Sequence, residues 1–215
     1  FVRLIDADTW TIAFWRLFLA GGLTGLWYLF TAGLEPFRAV FRTGKHGLIY
    51  MIGVGSSGVM FILAVGLTSV ANVVFIIASL PVFAAVFSRI FLAEPFSMRT
   101  LLTVAAVLPG LAIIAYGSGE TQNASLAGDL LALGVSALFA AALTAARHAR
   151  ATSMVPGVAM GYFFAALAIA PIADPFSMPA SEVPLVMAHA GVILFSSVLL
   201  AIGPRFITSA EVGLL

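Results

Sequence analysis

The stretch LIYMIGVGSSGVMFILAVGL, residues 48–67, decides the fold class of this protein. It contains no charged side chain, and its twenty residues match the length that a helix needs to cross the hydrocarbon core of a bilayer. Backbone N–H and C=O groups in lipid must find hydrogen-bond partners within the protein, and a helix satisfies them inside one segment. The stretch therefore predicts a transmembrane α-helix.

The composition of the whole chain extends this interpretation. Of the 215 residues, 62% are hydrophobic and 9% are charged, and the mean hydropathy is +1.13. An ordinary soluble domain has about 25% charged residues, so a soluble enzyme is excluded. A formal net charge of +1, with scattered basic residues, excludes a nucleic-acid-binding protein. The chain has no cysteine, which excludes disulfides and thiolate metal sites, and we expect no metal, nucleotide or redox cofactor.

Similar apolar runs predict seven complete membrane spans, with partial spans in residues 1–5 and 206–215. We therefore interpret the chain as part of a longer membrane protein. Pro81 lies inside the third span and is expected to bend it. The seven segments are Trp10–Ala32, Leu48–Leu67, Val70–Leu92, Thr100–Tyr116, Leu126–Ala146, Met154–Ala173 and Pro184–Ala201.

The loops between these spans alternate in charge. One alternate set holds seven basic residues, whereas the other holds only Arg3 together with several acidic residues. Because cytoplasmic loops of membrane proteins are enriched in Lys and Arg, the basic set is predicted to face the cytoplasm of a bacterial cell, across its inner membrane. The seven residues are Arg38, Arg42, Lys45, Arg99, Arg147, Arg150 and Arg205.

An internal repeat is visible in two short stretches. TSVANVV at residues 68–74 resembles ITSAEVG at residues 207–213, an offset near 140 residues that also pairs Trp10–Ala32 with Met154–Ala173. Five spans per repeat is an odd number, so the second copy would be inverted in the membrane, as in many secondary transporters. We therefore expect an all-α membrane bundle of two inverted five-helix repeats, residues 1–120 and 121–215.

Four motifs follow one another in an order that identifies a family resemblance: AFWR (13–16), LPVFA (80–84) with LAEP (92–95), LAGDLLAL (126–133) and ITSAEVGLL (207–215). Their order and spacing resemble the EamA-type members of the drug/metabolite transporter superfamily. The resemblance implies a ten-helix bundle that transports small metabolites or drugs and is not an enzyme. It also implies that this chain lacks most of the first helix and the last helices.

Arg16 is the first candidate for a functional side chain, because ionisable groups inside a span are costly. Counted from Trp10 it lies about 9 Å inside the membrane segment. One interpretation is an anion-attracting or gating charge at the outer mouth of a cavity. The alternative is a side chain that snorkels to the outer headgroups or pairs with Asp6 or Asp8.

The other candidates follow from the repeat. Asn72 and Glu211 occupy equivalent positions in the two copies, and inversion would bring them towards a shared cavity. Phe75 and Ser79 follow Asn72 along one predicted helical face, and His189 is expected to line the same cavity. These residues would bind a small-molecule substrate, and Glu211 could carry a coupling proton. The alternative is that they only join helices through hydrogen bonds.

Two alternative functions are an intramembrane protease and a membrane scaffold without transport activity. Gly55-Ser-Ser57-Gly58 fits the G-x-S-G pattern of rhomboid-type intramembrane proteases, in which Ser57 and His189 would form a catalytic dyad. A membrane scaffold without transport activity would have fully bonded polar groups and no cavity. The preferred function is an alternating-access transporter that contacts the lipid bilayer, a substrate and possible coupling ions, and that could form a homodimer; no nucleic acid is involved.

Overall fold

In the computed structural model, residues 5, 7–95, 98–117 and 125–213 are described, and every long regular element among them is an α-helix. Arg3, Asp6, Glu120 and the predicted repeat boundary at residue 120 lie outside these ranges. Two short 3-10 helices, Ala180–Glu182 and Gly203–Arg205, flank α9. The helices are α1 Thr9–Ala32, α2 Glu35–Arg42, α3 Lys45–Leu67, α4 Val70–Ile77, α5 Leu80–Phe91, α6 Met98–Gly117, α7 Leu126–His148, α8 Val155–Ile169, α9 Val183–Ile202 and α10 Ser209–Val212.

Five segments of the described chain are long and apolar enough to cross a membrane, which confirms a polytopic helical bundle. The predicted span at residues 100–116 lies within α6, and Met154–Ala173 contains the shorter apolar helix α8. The five segments are Thr9–Ala32, Lys45–Leu67, Val70–Phe91, Leu126–His148 and Ala180–Arg205.

The expected bend near Pro81 is a break between two helices. α4 ends at Ile77, and α5 begins at Leu80 with Pro81 in its first turn, where the missing N–H of proline costs no helical hydrogen bond. Ser79 lies at the break and its backbone N–H donates to the Ile76 carbonyl at 2.9 Å. The helical face predicted to run unbroken from Asn72 to Ser79 is therefore interrupted.

α1 and α8, the two spans that the sequence repeat relates, pack against each other in opposite directions. Near the start of α1, the Thr11 hydroxyl donates to the Asp174 carbonyl beyond the end of α8, at 3.1 Å. Further along α1, a Cβ on Gly21 would lie 2.8 Å from the Ala159 carbonyl oxygen, near the start of α8. Antiparallel packing of equivalent helices is what an inverted repeat requires.

α3 forms the centre of the bundle because glycines let its neighbours approach closely. A Cβ on Gly53 would lie 2.7 Å from the Leu138 carbonyl of α7, and a Cβ on Gly161 of α8 would lie 2.6 Å from the Met51 carbonyl of α3. Small residues at such interfaces allow the tight backbone contacts on which membrane helix packing depends. The buried core follows this axis and extends to α1 and α9.

Different loops lie at the two ends of the bundle. The alternation of charge along the sequence predicts that the basic loops share one end. At one end, Arg147 pairs with Glu94 at 3.1 Å, and Arg205 donates to the Arg150 carbonyl at 3.1 Å. We call this the basic end. At the other end, the Trp15 indole donates to a carbonyl in the loop after α8 at 2.8 Å. Among the described residues, the basic loops after α5, α7 and α9 therefore lie at one end, and the loop after α8 lies at the other.

Candidate functional site

Arg16 carries its guanidinium into the bundle and not outward to the headgroups. The residue is 4% exposed, its Nη1 donates to the Gly58 carbonyl of α3 at 3.2 Å, and its Cζ lies 5.0 Å from the centroid of the Phe61 ring. Its buried Nε has no hydrogen-bond partner among the described residues. Asp8 accepts from the backbone N–H of Trp10 at 2.9 Å and so caps α1. The buried guanidinium favours the interpretation of a charge inside the bundle.

The absence of a side chain at Gly58 lets α3 lie close to Leu17 and Tyr162, beside the Arg16 guanidinium. A Cβ at this position would lie 2.8 Å from Leu17 Cδ2 and 3.3 Å from Tyr162 Cε1, so a side chain there would displace both neighbours. Without one, α3 presents its carbonyl oxygen directly to the guanidinium of Arg16. Hydrogen bonds from a charged donor are stronger than neutral ones, and this bond fixes the arginine within the core.

Two further polar side chains interact electrostatically with this charge, and a third forms a hydrogen bond to one of them. His189 of α9 is 7% exposed and lies within electrostatic range of the Arg16 guanidinium. Tyr162 of α8 is also within range, and its hydroxyl lies 2.8 Å from the Ser197 hydroxyl of α9 in a buried hydrogen bond. We call Arg16, Tyr162, His189 and Ser197 the Arg16 cluster. It draws on three helices and combines a cation, an imidazole and two hydroxyls.

The sequence analysis identified Arg16 and His189 but missed Tyr162 and Ser197. A tyrosine hydroxyl in an apolar span must find a partner, and this requirement could have identified Tyr162 as a polar position. Its actual partner, Ser197, could not be read from the sequence, because the pairing of α8 with α9 sets it. The cluster therefore contains residues that only the packing reveals.

Asn72 and Glu211 each lie three residues after the residue that caps their helix. Ser69 caps α4 and accepts from the backbone N–H of Asn72 at 3.0 Å. Thr208 caps α10 and accepts from the backbone N–H of Glu211 at 3.3 Å. The Glu211 carboxylate in turn accepts from the Thr208 backbone N–H at 3.0 Å, which completes a reciprocal capping box.

α4 and α10 approach the middle of α7 from opposite ends. Next to the start of α4, the Thr68 hydroxyl donates to Asp129 at 3.0 Å. At the start of α10, the Ser209 hydroxyl donates to the Leu143 carbonyl at 3.2 Å. Asp129 and Leu143 are fourteen residues apart on α7, about 21 Å along its axis. The end of α10 meets the start of α5, where a Cβ on Gly213 would lie 3.3 Å from Leu80 Cγ.

Ser79 and Phe75 lie close to this convergence but differ in their surroundings. The Ser79 hydroxyl is buried at the break and has no hydrogen-bond partner among the described residues. The side chain of Phe75 is 41% exposed, and its ring covers Gly110 of α6 so closely that no Cβ would fit there. The Phe75 ring, predicted to contact substrate, thus packs on α6.

Ser57 is bonded within its own helix. Its hydroxyl donates to the Val54 carbonyl at 2.9 Å, and the residue is buried. A nucleophilic serine needs a base that accepts its proton, whereas this geometry is typical of a serine that packs in a membrane helix. The local structure therefore favours transport over the protease alternative.

A family model of the EamA-like transporter family matches residues 2–116, which is more than half of the 215-residue chain. The chain belongs to the EamA-like transporter family. This confirms the resemblance drawn from the motifs and makes the protein a multi-pass membrane transporter. A search of curated proteins finds no match. In this EamA-like transporter, Arg16, Asn72, Phe75 and Ser79 lie within the matched region, and His189 and Glu211 lie after it.

Proposed function

We propose that this EamA-like transporter moves a small metabolite or drug across the membrane by alternating access, with the Arg16 cluster as its binding site. The observation that supports this most is the buried guanidinium of Arg16, which keeps one donor, Nε, without a partner among the described residues. A cation held in a low-dielectric core attracts an anionic group strongly. The preferred substrate is therefore a small molecule with a carboxylate or another anionic group.

His189, Tyr162 and Ser197 suit the remaining polar groups of such a substrate. An imidazole and two hydroxyls can each donate or accept, so they adapt to different polar atoms. Phe61 covers one side of the guanidinium with an aromatic face. Binding sites of this kind combine a few placed polar groups with apolar walls.

Alternating access would arise from two inverted repeats, residues 1–120 and 121–215. The antiparallel packing of α1 on α8 supports this division, as does the convergence of α4 and α10 from opposite ends of α7. Asn72, Phe75, Ser79 and Glu211 would then belong to the moving elements beside the substrate path. The basic end would face the cytoplasm of a bacterial cell, and Glu211 would carry a coupling proton.

A scaffold without transport activity is less consistent with these observations. A scaffold needs its buried polar atoms bonded, because each unsatisfied one destabilises the fold. Both the Arg16 Nε and the Ser79 hydroxyl are buried without a hydrogen-bond partner in the described part of the chain. Unused donors, one in the core of α1 and one at the break between α4 and α5, suit a protein that binds a ligand and changes conformation.

The test is export from cells that express the protein, challenged with toxic organic-acid and amino-acid analogues. Arg16→Ala should reduce export about ten- to hundredfold, because a charge-assisted hydrogen bond contributes about 1.5–3 kcal/mol. Arg16→Lys should give an intermediate rate, since lysine keeps the charge but loses the guanidinium fork.

Arg38→Ala is the matched control, because Arg38 is an exposed basic residue on α2. It should export at the normal rate. Membrane abundance of each variant is measured in parallel by immunoblotting. Full export by Arg16→Ala at normal abundance would remove the cluster from the proposed mechanism.

A further inference from the structure

A cavity lies at the basic end, between α3, α5 and α7, and shares no lining residue with the Arg16 cluster. Its volume is about 500 Å³. Three of its lining residues are basic or imidazole side chains, and the others are mostly apolar. We call it the basic-end pocket, lined by Lys45, His46, Ile49, Phe87, Phe91, Leu92, Ala141, Thr144, Ala145 and His148.

The polar side of this pocket combines one cation with two imidazole rings. Lys45 is exposed, and the imidazole rings of His46 and His148 stack with their centroids 3.9 Å apart and their planes at 14°. The stack brings ring N–H groups from two helices to one place. A lysine and two imidazoles together can offer several donors to a single anionic group.

The neighbouring acidic residues are already paired with other cations. Glu35 forms an ion pair with Arg42, and Glu94 forms one with Arg147. Within the described ranges, no carboxylate forms an ion pair with Lys45. The pocket therefore carries positive charge that the described side chains do not neutralise, and an anionic ligand would complement it.

The apolar side of the pocket continues to the lipid-facing surface. Phe91 is 69% exposed and Ile49 is 43% exposed, at the end of the bundle where the basic loops meet. Phe87 lies one helical turn before Phe91, with the ring centroids 6.2 Å apart. An acyl chain could lie against this surface while its headgroup remains beside Lys45.

We propose that the basic-end pocket binds an anionic phospholipid from the leaflet at the basic end. The phosphate lies between Lys45 and the stacked imidazoles, and an acyl chain lies along Phe87 and Phe91. Basic pockets between membrane helices attract anionic headgroups, whereas a zwitterionic lipid would place its own cation next to Lys45. The inference does not depend on the identity of the transported substrate.

The test uses the protein purified in a nonionic detergent and titrated with dioleoylphosphatidylglycerol or dioleoylphosphatidylcholine, with bound lipid counted by native mass spectrometry. We expect the anionic lipid to bind more tightly. Lys45→Ala should weaken its binding about fivefold, the effect of one basic residue near an anionic membrane surface. The double variant His46→Ala with His148→Ala should weaken it as well, and Arg38→Ala, outside the pocket, should leave it unchanged.

A second variant tests the pocket and not only its charge. Ala141→Phe fills the cavity without altering any charged group, and it should reduce phosphatidylglycerol binding while the protein keeps its melting temperature. Inorganic phosphate at millimolar concentration should not displace the lipid, because the acyl chain contributes to binding. Equal binding of both lipids, unchanged binding by Ala141→Phe, or displacement by phosphate would each overturn the proposal.

Discussion

The Arg16 cluster and the starts of α4 and α10 use polar side chains differently. In the cluster, the guanidinium forms a bond to the Gly58 carbonyl, yet its Nε stays without a partner among the described residues. At the helix starts, Ser69 and Thr208 bond the backbone N–H groups of Asn72 and Glu211. The Arg16 cluster therefore has a buried donor that can still bind a ligand, whereas the polar side chains at the starts of α4 and α10 stabilise helix N-termini.

The difference shows how to separate two kinds of polar residue in an apolar span. A polar residue three positions after a Ser or Thr that caps a helix belongs to the helix N-terminus, where the cap satisfies otherwise unbonded donors. Arg16 is not near a helix cap. The cap of its helix, Asp8, lies about two turns before it and accepts from the backbone N–H of Trp10. A mid-span charge without a local partner is therefore the stronger functional candidate.

Glu211→Gln is expected to have the largest effect, a loss of export driven by a proton gradient. It tests whether a residue at a helix start also takes part in transport. Glutamine at this position can still accept from the Thr208 N–H, so the capping box and the membrane abundance should remain. It cannot carry a proton, so export driven by a proton gradient should fall to the level measured with an uncoupler. The measurement is export from cells with and without the gradient.

Asn72→Ala is the matched variant for the first repeat, because it has no titratable group to lose. It should reduce export while leaving the response to the gradient intact. Gradient-dependent export by Glu211→Gln at the normal rate would make Glu211 a capping residue only and would confine the site to the Arg16 cluster.

A smaller effect is expected from removing the caps themselves. Ser69→Ala should lower the free energy of unfolding by about 1 kcal/mol, a typical value for a lost N-cap. Thr208→Ala should cost more than Ser69→Ala, because Thr208 also donates its hydroxyl to the Glu211 carboxylate at 2.9 Å. Thermal unfolding in detergent measures both, with the exposed Ser177→Ala as control. Equal stability of all three variants would contradict the structural role of the caps.

The smallest expected effect concerns Tyr162→Phe, which removes the hydroxyl bonded to Ser197. Interhelical hydrogen bonds in membranes contribute about 0.6 kcal/mol on average, so the loss of stability should be near this value. Export should decline more than stability, because the hydroxyl also belongs to the proposed binding site. Tyr28→Phe, on the half-buried part of α1, is the control. A decline in export that matched the decline in folded protein would assign Tyr162 to packing alone.

Much of the fold follows from hydropathy and charge. The apolar runs place the long helices, Pro81 predicts the interruption after α4, and the alternating basic loops predict which loops meet at each end. The offset of 139 residues between Asn72 and Glu211 has a physical counterpart, since both follow a capping hydroxyl by three positions. These features depend on local sequence, so they can be read from it.

The candidate site was only partly predictable because helix pairing determines it. The bond between Tyr162 and Ser197, and the stack of His46 on His148, join positions that no local pattern relates. The spacing predicts Phe75 and Ser79 on one helical face, but α4 ends at Ile77 between them, and the Phe75 ring lies against Gly110 of α6. A periodicity argument holds only while the helix is continuous.

The glycine contacts between α3 and α8 have a consequence for motion. Gly55 and Gly161 bring the two main chains together so closely that a Cβ on Gly55 would collide with the Gly161 carbonyl. No side chain lies between them that could change rotamer and let one helix slide past the other. We therefore expect α3 and α8 to move together as one unit, because sliding one past the other would first require the two main chains to separate.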